Sequence, residues 1–508
     1  MSVKRERFEN LTEMMERQAR DFGDRPAFLY QSVELSEDHS VETKKKTVSF
    51  RRFQEDVDGR RRELKRRFPG TGTEGIITDG SYGCIVEIFA ANAAGFTVVM
   101  LEPTKDAAVM KARIDGTDVS LLWTLGSAMR IREDISAGVP DRFLFFTSGT
   151  TESAKAVILT GTSLAASADN GSDRLPLSPE DRLLSLLPLC HVFGFVCGLL
   201  WPFSCGACTA LGRGRRHITD DFDYYRPTAV SLVPVLFHFL LSRRIFNEEL
   251  RIMLIGAGGC QKEDIRSAQE AGFLVSFGYG LTETSSGIAI STSGDPFAMD
   301  VCMDDTVSIA EDGEILVEAP TCMMQGYFRD RAGTAAVLKN GVLHTGDLGY
   351  LDENGRLHIT GRKKDMLVLK DGTKIFLPEY EARIAGALRG LDFACAGDED
   401  GVVLYYDGDR TEEETEKAIR DLMDHFPIGR QVRRIVRCKG PLPRNAAGKV
   451  VRRKLQEYAA SDDQQGEGTD ADKGRNREED SGNHSGRCAG NGEGGTDAGD
   501  KSENGDSH

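Results

Sequence analysis

The sequence lacks the patterns that mark secreted and disulfide-rich proteins. Its 11 cysteines are an odd number without framework spacing, and Cys205 and Cys208 form a single C-x-x-C with no second pair. This argues against a disulfide scaffold or a zinc site and favours free thiols in a reducing compartment. The first residues, Met1 to Glu9, contain no apolar core of a signal peptide. We therefore expect a cytoplasmic protein.

An uninterrupted membrane-spanning run is also missing. The stretch from Leu183 to Gly212 contains no carboxylate and no lysine, but Pro188, His191 and Pro202 interrupt it. A span needs continuous helix through the hydrocarbon core. The run is therefore predicted to be a strand, Leu183 to Leu187, followed by a turn and a buried helix.

Excess positive charge is absent. The formal net charge is -16, and about half of the excess lies in the last 48 residues, which hold 13 Asp/Glu against 5 Lys/Arg. The remainder is mildly acidic, which argues against nucleic acid as a partner. The predicted helix Arg51 to Phe68 is locally basic, and we interpret it as a solvated face with at most peripheral membrane contact.

The chain of 508 residues, 40% hydrophobic, is long enough for several domains. Strands and helices alternate from Gly75 to Gly280, which predicts an α/β fold with parallel sheets, after a polar insertion at Ser36 to Lys46. Short strands with turn residues at Thr306 to Ile359 predict a β subdomain. We expect three parts: an N-terminal domain at 1–361, a small α+β C-terminal lid at 362–458, and a disordered acidic tail at 459–508.

One loop has the composition of a phosphate-binding site. The apolar run Phe143 to Phe146 predicts a buried strand, after which Gly149 lets backbone N–H groups approach an oxyanion and Lys155 supplies a positive charge. It is not a Walker A loop, because Ala154 replaces the second glycine and Ala156 follows the lysine. Taken alone, a Ser/Thr-rich hairpin turn is an equal interpretation. The hydroxylated residues are Thr147, Ser148, Thr150, Thr151 and Ser153.

Two later stretches have residues suited to a nucleotide. Gly256 to Cys260 is a glycine-rich end of a predicted strand, where a flat base can pack on backbone. Within Phe277 to Thr284, an aromatic ring is followed by Thr282 and Glu283, whose oxygens suit magnesium near phosphate. Each stretch alone is also compatible with an ordinary turn.

Three further stretches follow in order. His344 to Gly349 places Asp347 in a predicted turn, where its carboxylate can accept hydrogen bonds from a ribose diol. Gly361 to Asp365 lies where the strand pattern changes, as a hinge would. Pro441 to Lys449 presents one lysine after a glycine in a proline-bounded loop.

Together and in this order, the motifs resemble the superfamily of adenylate-forming enzymes: acyl- and aryl-CoA synthetases, adenylation domains and luciferases. The resemblance covers about residues 8 to 458 and is greatest to fatty acyl-CoA synthetases. It implies a large domain, a rotating lid, and ATP, Mg2+ and CoA as cofactors and co-substrate. Carried over by motif, it implies that Thr147, Ser148, Gly149, Thr150, Thr151 and Lys155 hold the β- and γ-phosphates, Gly258 and Tyr279 contact adenine, and Thr282 and Glu283 hold the α-phosphate and Mg2+. It also implies that Asp347 and Arg362 bind ribose, Lys364 is the hinge, Lys449 is the catalytic lysine and His191 is an aromatic gate.

The chain departs from the family's Gly-x-Pro-Lys-Gly pattern at Glu152, Ala154 and Ala156, which stiffens the loop and adds a carboxylate. Cys190 and its neighbours offer no aspartate to pair an amino group, so a neutral carboxylic acid is expected. Apolar stretches at Ser231 to Leu241 and at Gly287 to Ile290 favour a medium- to long-chain fatty acid. Two alternatives stay open: an enzyme that loads a separate acyl carrier protein, and a non-catalytic nucleotide-binding paralogue.

Overall fold

The protein is described by a computed structural model. The predicted residues Ser148, Gly149, Thr150, Thr151 and Lys449, the departure Glu152, and the predicted tail 459–508 lie outside the described residues. The structure describes residues 6–35, 41–70, 72–132, 137–147, 154–371, 373–398, 400–423, 425–427, 430–438, 440–444, 450–452, 454 and 455.

In chain order, the α-helices are α1 (Leu11–Phe22), α2 (Phe50–Arg67), α3 (Tyr82–Ala94), α4 (Ala107–Gly116), α5 (Gly161–Arg174), α6 (Val192–Phe195), α7 (Trp201–Ser204), α8 (Ile218–Tyr225), α9 (Pro234–Arg243), α10 (Lys262–Glu270), α11 (Arg331–Val337), α12 (Leu377–Ile384) and α13 (Glu412–Met423). A π-helical segment, Val196–Leu200, joins α6 to α7, and short 3-10 turns occur at Arg215–His217, Thr282–Thr284 and Lys363–Asp365.

The strands are β1 (Pro26–Leu35), β2 (Val41–Ser49), β3 (Thr73–Ile77), β4 (Thr97–Leu101), β5 (Leu121–Thr124), β6 (Ser127–Arg130), β7 (Arg142–Phe146), β8 (Ala156–Thr160), β9 (Arg182–Ser185), β10 (Cys208–Leu211), β11 (Ala229–Leu232), β12 (Ile252–Ile255), β13 (Leu274–Leu281), β14 (Ser286–Ile290), β15 (Asp300–Val301), β16 (Thr306–Ile309), β17 (Glu314–Glu318), β18 (Gly326–Tyr327), β19 (Leu338–Lys339), β20 (Val342–Leu351), β21 (Leu357–Arg362), β22 (Met366–Val368), β23 (Lys374–Phe376), β24 (Asp392–Asp398), β25 (Gly401–Asp407) and β26 (Val432–Arg437).

A seven-stranded sheet has the order β18-β8-β7-β4-β3-β5-β6. Its centre, from β7 to β5, is parallel, and its outer pairs are antiparallel. All five residues of β4 are buried, as expected for a central strand covered on both faces. The predicted parallel α/β pattern is confirmed here, with antiparallel strands added at both edges.

A nine-stranded sheet has the order β15-β14-β13-β12-β11-β9-β10-β1-β2 and is parallel from β13 to β1. The polar insertion predicted at Ser36 to Lys46 is partly wrong, because β2 begins at Val41 and pairs antiparallel with β1. Its lysine-rich sequence carries no apolar alternation, since the strand lies at the edge of the sheet.

The apolar run from Leu183 to Gly212 folds as predicted for a buried segment. It is divided into β9, a helical stretch from Val192 to Ser204, and β10. Trp201 and Phe203 are each 1% exposed, so the helical stretch is core. No helix among the described residues is long and apolar enough to cross a membrane.

The β subdomain pairs β16, β17, β20, β19 and β21 antiparallel. The turn predicted around Asp347 is wrong: Asp347 lies within β20, opposite Arg362 of β21. Gly346 has φ +69°, and the pairing with β17 shifts in register nearby. This irregular strand produced the turn-like sequence.

A separate apolar cluster follows residue 366. It contains Leu367, Ile384, Leu404 and Ile419, each less than a tenth exposed, and it draws its buried members from residues 367 to 426. The strands β24, β25 and β26 form a three-stranded sheet, and α12 and α13 complete the layer. This agrees with the predicted α+β region, and β24 is a strand that the sequence reading did not predict.

Candidate active site

The predicted site residues lie after strands of the two parallel sheets. Thr147 follows β7, Gly258 follows β12, and Thr282 follows β13. Contacts join the two sheets at this place, because the N–H of Met324 donates to the carbonyl of Glu283 at 2.8 Å and the N–H of Phe328 donates to that of Ala156 at 2.7 Å. Ligands of parallel sheets bind beyond the carboxyl ends of strands.

The phosphate-loop candidate spans a hairpin. β7 pairs antiparallel with β8, with Phe146 opposite Ala156. Beyond this pair, the N–H of Thr147 donates to the carbonyl of Lys155 at 3.0 Å, and the N–H of Lys155 donates to Thr147 Oγ1 at 3.1 Å. The strands on either side of the candidate are therefore antiparallel neighbours, and the departure at Ala156 lies in a strand.

Lys155 and Glu283 meet through a residue that the sequence reading missed. Lys155 Nζ lies 4.2 Å from the centroid of the Tyr327 ring and 3.6 Å from Asp330 Oδ2. The Tyr327 hydroxyl donates to Glu283 Oε1 at 2.7 Å. Burial and the Glu283 carboxylate raise the pKa of Tyr327, which stays a neutral donor. The ring thus connects the predicted phosphate and metal ligands.

Glu283 lies in the 3-10 turn Thr282–Thr284, whose back is firmly packed. Ser285 adopts φ +53° and is fully buried, and its hydroxyl donates to the carbonyl of Cys322 at 2.7 Å. This holds the half-buried Thr282 hydroxyl and Glu283 carboxylate at the surface of the turn. Both are hard oxygen donors, so the residues fit Mg2+.

Three predicted nucleotide ligands form one cluster. The Tyr279 hydroxyl donates to Asp347 Oδ2 at 2.9 Å, and Arg362 Nε lies 2.8 Å from Asp347 Oδ1. Asp347 is 3% exposed and Tyr279 is 7% exposed. Burial and the adjacent carboxylate raise the pKa of Tyr279. The phenol and the guanidinium therefore fix the orientation of a buried carboxylate, which is a strong hydrogen-bond acceptor.

His191 precedes α6, and its Nε2 lies 3.8 Å from Glu102 Oε1. The Arg113 guanidinium lies 3.4 Å from Glu102 Oε2 and 5.0 Å from the centroid of the Phe146 ring. Desolvation lowers the pKa of His191 and Arg113 lowers it further, against the opposing effect of Glu102. The imidazole is therefore neutral at neutral pH.

Gly258 is exposed beyond the end of β12, and a Cβ there would lie 3.4 Å from Pro234. Ala257 before it has φ +63°. At Gly256 a Cβ would lie 2.8 Å from Phe193 Cζ, so the Phe193 ring rests directly on the glycine. A ring rather than an open channel faces this strand end.

The hinge candidate Lys364 lies in the exposed 3-10 turn between β21 and β22. Its neighbour Lys363 pairs with Asp312 at 2.6 Å and Glu314 at 3.1 Å. Lys449 lies outside the described residues. Arg444 and Val450, the described residues on either side of 445–449, are joined by an antiparallel bridge.

The structure thus brings Lys155, Glu283 and Thr282 to one place and joins Tyr279, Asp347 and Arg362 at another. The sequence reading missed four residues of the site: Glu102, Arg113, Tyr327 and Asp330. Glu102 is separated from its partner His191 by 89 positions, and Asp330, between Arg329 and Arg331, has the composition of an ordinary charged stretch. The signal available was local: Glu102 directly follows a buried strand.

A comparison with protein families matches residues 141–328 to the model described as AMP-binding enzyme. The 2-succinylbenzoate–CoA ligase of Bacillus mycoides (strain KBAB4) is 30% identical over 340 residues, which are 62% of this chain and 69% of that protein. A second relative, from Mycobacterium tuberculosis (strain ATCC 25618 / H37Rv), is 31% identical over 353 residues, 62% of this chain and 66% of that protein. It is named 3-[(3aS,4S,7aS)-7a-methyl-1,5-dioxo-octahydro-1H-inden-4-yl]propanoyl:CoA ligase.

Solved structures share the fold. O-succinylbenzoate coenzyme A synthetase from Bacillus subtilis in complex with AMP has a TM-score of 0.71 at 22% identity, covering 87% of this chain and 98% of that one. The same enzyme with ATP and magnesium has a TM-score of 0.70 at 21% identity, covering 87% and 99%.

The fold is that of adenylate-forming enzymes. The chain belongs to the AMP-binding enzyme family. This confirms the predicted superfamily and fold class, and, at the level of the family, the predicted use of ATP, Mg2+ and CoA.

Proposed function

We propose that the chain is an AMP-forming acid–CoA ligase. In the first step, a carboxylate oxygen of the acid bonds to the α-phosphorus of ATP while the bond to the β-phosphate oxygen breaks and pyrophosphate leaves. In the second, the CoA sulfur bonds to the acyl carbon and AMP leaves with the electron pair of the broken C–O bond. The observation that carries this proposal is the cluster of Tyr279, Asp347 and Arg362 beside the Lys155–Tyr327–Glu283 contacts.

The first cluster suits a nucleoside. Asp347 accepts a hydrogen bond from Tyr279 and pairs with Arg362, and these two contacts fix the orientation of its carboxylate. A buried, oriented carboxylate is a strong acceptor that suits the vicinal hydroxyls of a ribose. Arg362 offsets the buried charge that would otherwise be costly.

The second set of contacts suits polyphosphate. Lys155 supplies a positive charge that Tyr327 and Asp330 hold at the neck of the loop. Thr282 and Glu283 would hold Mg2+, which supplies charge neutralisation of the phosphates and of the leaving pyrophosphate. Asp330 near Lys155 lowers the net positive charge, which makes the hydroxyls of the loop more important.

For the lid, we propose domains at 1–361 and 362–458 with the hinge at Lys364. The separate apolar cluster that begins at Leu367 supports this division. Lys449, carried by the loop between Arg444 and Val450, would neutralise charge at the α-phosphorus only when the lid closes. His191 is proposed as the neutral ring at the entrance for the thiol.

For the acid, two candidates remain. The Phe193 ring on Gly256 fills space at a strand end and favours a compact or aromatic acid, in line with the 2-succinylbenzoate named for relatives. The medium- to long-chain fatty acid predicted from the sequence has its support in the apolar stretch at Ser231 to Leu241. In that stretch Phe237 and Leu240 are buried in the core, whereas Val235 is 71% exposed, so the stretch lines an interior tunnel over part of its length at most.

The testing experiment is ATP–pyrophosphate exchange with a panel of aromatic, short-chain and long-chain acids, followed by thioester formation with CoA or with an acyl carrier protein. We expect pyrophosphate exchange with at least one acid and thioester formation with CoA. We also propose that the enzyme is cytoplasmic. Exchange with transfer to the carrier protein alone would identify the carrier-loading alternative. ATP binding without exchange across the panel would indicate the non-catalytic paralogue suggested by Glu152 and Ala154.

A further inference from the structure

A solvent-exposed leucine stands at the tip of the hairpin between β5 and β6. Leu125 is 93% exposed, and it forms a two-residue turn with Gly126. Their φ angles are +51° and +78°. Hairpin turns with two positive φ values favour Asn-Gly, because a side chain other than Asn or Asp is disfavoured in the left-handed region. Neither turn preference nor packing accounts for this leucine.

The apolar surface continues along β6. Met129 is 48% exposed, and Ile131, which follows the strand on the same face, is 38% exposed. Side chains of a strand alternate between faces, so these two share a face. In the described part of the seven-stranded sheet, β6 is the end strand. An exposed apolar edge is usually protected by charge or by a partner.

Cationic side chains border this end strand on the face opposite Met129 and Ile131, because Arg130 alternates with them along β6. Arg67 Nη2 donates to the carbonyl of Ala128 at 3.3 Å, and the guanidinium groups of Arg67 and Arg130 lie 5.2 Å and 5.7 Å from the centroid of the Phe68 ring. Lys65 and Arg66, in the last turn of α2, are exposed beside them.

The carboxylates described at this edge are each held by two cations. Glu63 pairs with Arg60 and Arg67, and Asp115 pairs with Lys111 and Arg132. Residues 133–136 lie outside the described residues. The described surface therefore combines protruding apolar side chains with a positive border.

From this combination we propose that the β5–β6 hairpin and the end of α2 form a docking surface for an anionic lipid bilayer. Leu125, Met129 and Ile131 enter the interface between headgroups and acyl chains, and Lys65, Arg66 and Arg130 face the lipid phosphates. A second copy of the chain fits less well. Pairing two β6 edges would bring equivalent arginines together, which like charges oppose.

The tip of the hairpin, Leu125, lies at the same end of the sheet as the phosphate-loop candidate, whereas Arg130 and Ile131 lie beside Leu121 and Ser120 at the other end of β5. β5 and β7 are parallel members of one sheet, three strand positions apart, so the hairpin tip and Thr147 lie at the carboxyl ends of their strands about 14 Å apart across the sheet. Docking would bring the candidate active site close to the bilayer. The docking itself does not depend on the proposed reaction.

The test is co-sedimentation of the full chain with vesicles of phosphatidylcholine alone or mixed with phosphatidylserine. We expect binding to the mixed vesicles, weakened by salt. Leu125→Asn, which suits the left-handed turn and should not lower the melting temperature, should reduce the partition coefficient about tenfold. Arg66→Gln should reduce it about fivefold. The matched controls Leu274→Asn in β13 and Arg266→Gln in α10 alter exposed residues outside the seven-stranded sheet and should bind like the wild type.

Three outcomes would overturn the proposal. The first is absence of binding to the anionic vesicles, and the second is binding that Leu125→Asn and Arg66→Gln leave unchanged. The third is loss of a dimer in Leu125→Asn, measured by light scattering, without any vesicle binding by the wild type, since a second copy would then occupy the surface.

Discussion

The hydroxyl of Tyr279 donates a hydrogen bond of 2.9 Å to the carboxylate of Asp347. The two residues come from different parts of the chain, β13 and β20, and both are buried. The hydrogen bond fixes the orientation of a charged group that we propose binds ribose. It also connects β13, the strand before the turn that carries Glu283, to the β subdomain.

Tyr279→Phe removes this donor but keeps the ring. A hydrogen bond to a charged group contributes about 1.5–3 kcal/mol. We expect kcat/KM for ATP in pyrophosphate exchange to fall about tenfold or more, with KM accounting for most of the change. Tyr350→Phe is the control, because that exposed ring stacks on His358 away from the site. If Tyr279→Phe left the KM for ATP unchanged, the cluster of Tyr279, Asp347 and Arg362 would not be part of the nucleotide-binding site.

Tyr327 is predicted to have two separable contributions. Tyr327→Phe removes the donor to Glu283 and retains the ring beneath Lys155, whereas Tyr327→Leu removes both contacts. We expect exchange to fall about tenfold in the first variant and a further fivefold or so in the second, since a cation–π contact contributes about 1 kcal/mol. The exchange rates of both variants are measured over a range of Mg2+ concentrations. Equal rates in Tyr327→Phe and Tyr327→Leu would show that the ring makes no separate contribution.

Lys449→Ala should abolish adenylate formation and spare thioester formation from preformed acyl-AMP. The reason is that charge builds on the α-phosphorus in the first step alone. The two half-reactions are measured separately, with Lys454→Ala as a control five positions along the chain. Equal loss in both half-reactions would show that Lys449 is not specific to the first.

Lys364→Pro should restrict the hinge, because proline fixes φ near -65° and removes a donor. We expect exchange to survive within about tenfold, a barrier change of about 1.4 kcal/mol, while thioester formation falls much further. Lys364→Ala is the control, since it removes the side chain and retains backbone freedom. If both half-reactions fall by one factor in a folded Lys364→Pro protein, the rotation occurs elsewhere.

Glu74 gives a prediction for stability. Its carboxyl is fully buried, and burial together with the neighbouring Glu87 carboxylate raises the pKa of Glu74 well above the ordinary 4.5. A carboxyl whose pKa is higher in the folded state than in the unfolded state does not lower the free energy of unfolding at pH values below the unfolded pKa. As the pH rises above the unfolded pKa, this group lowers the free energy of unfolding by a growing amount. Glu74→Gln should therefore raise the melting temperature more at pH 8 than near pH 4.

Glu87→Gln is the contrasting variant. Glu87 holds Arg60 through two hydrogen bonds, at 2.5 and 2.9 Å, and its removal leaves a partly buried guanidinium with less compensation. This variant should be less stable than the wild type at neutral pH. A Glu74→Gln protein whose gain in melting temperature did not change with pH would contradict a raised pKa.

Periodic and strongly apolar elements were predictable from the sequence. The helix predicted at Arg51 to Phe68 and the strand predicted at Phe143 to Phe146 correspond to α2 and β7, with bounds that differ by at most one residue. The edge strand β2 was not, because an edge strand of lysines and threonines has little apolar alternation. The motif order identified the family, since spacing along the chain survives substitutions at single positions.

The contacts across the site were not predictable. Tyr327 and Glu283 are 44 positions apart, and their hydrogen bond depends on how β18 is placed against the turn after β13. Asp347 was expected in a turn because glycine and threonine precede it, and the tertiary pairing of β20 with β21 overrides that local preference. The motifs were sufficient to propose chemical roles for single residues. The hydrogen-bond partners of those residues could be identified only from the three-dimensional structure.

The two hydrogen bonds between Thr147 and Lys155 extend the pairing of β7 with β8 by one residue on each strand. Described residues therefore fix the register of the two strands, so the identity of residues 148–153 can vary without changing it. Selection for ATP binding and selection for folding can therefore act separately on residues 148–153. Glu152 is a substitution in a segment that can change without changing the fold. Because Thr147 and Lys155 are joined by these two hydrogen bonds, the segment between them is a natural point for exchanging sequence between relatives.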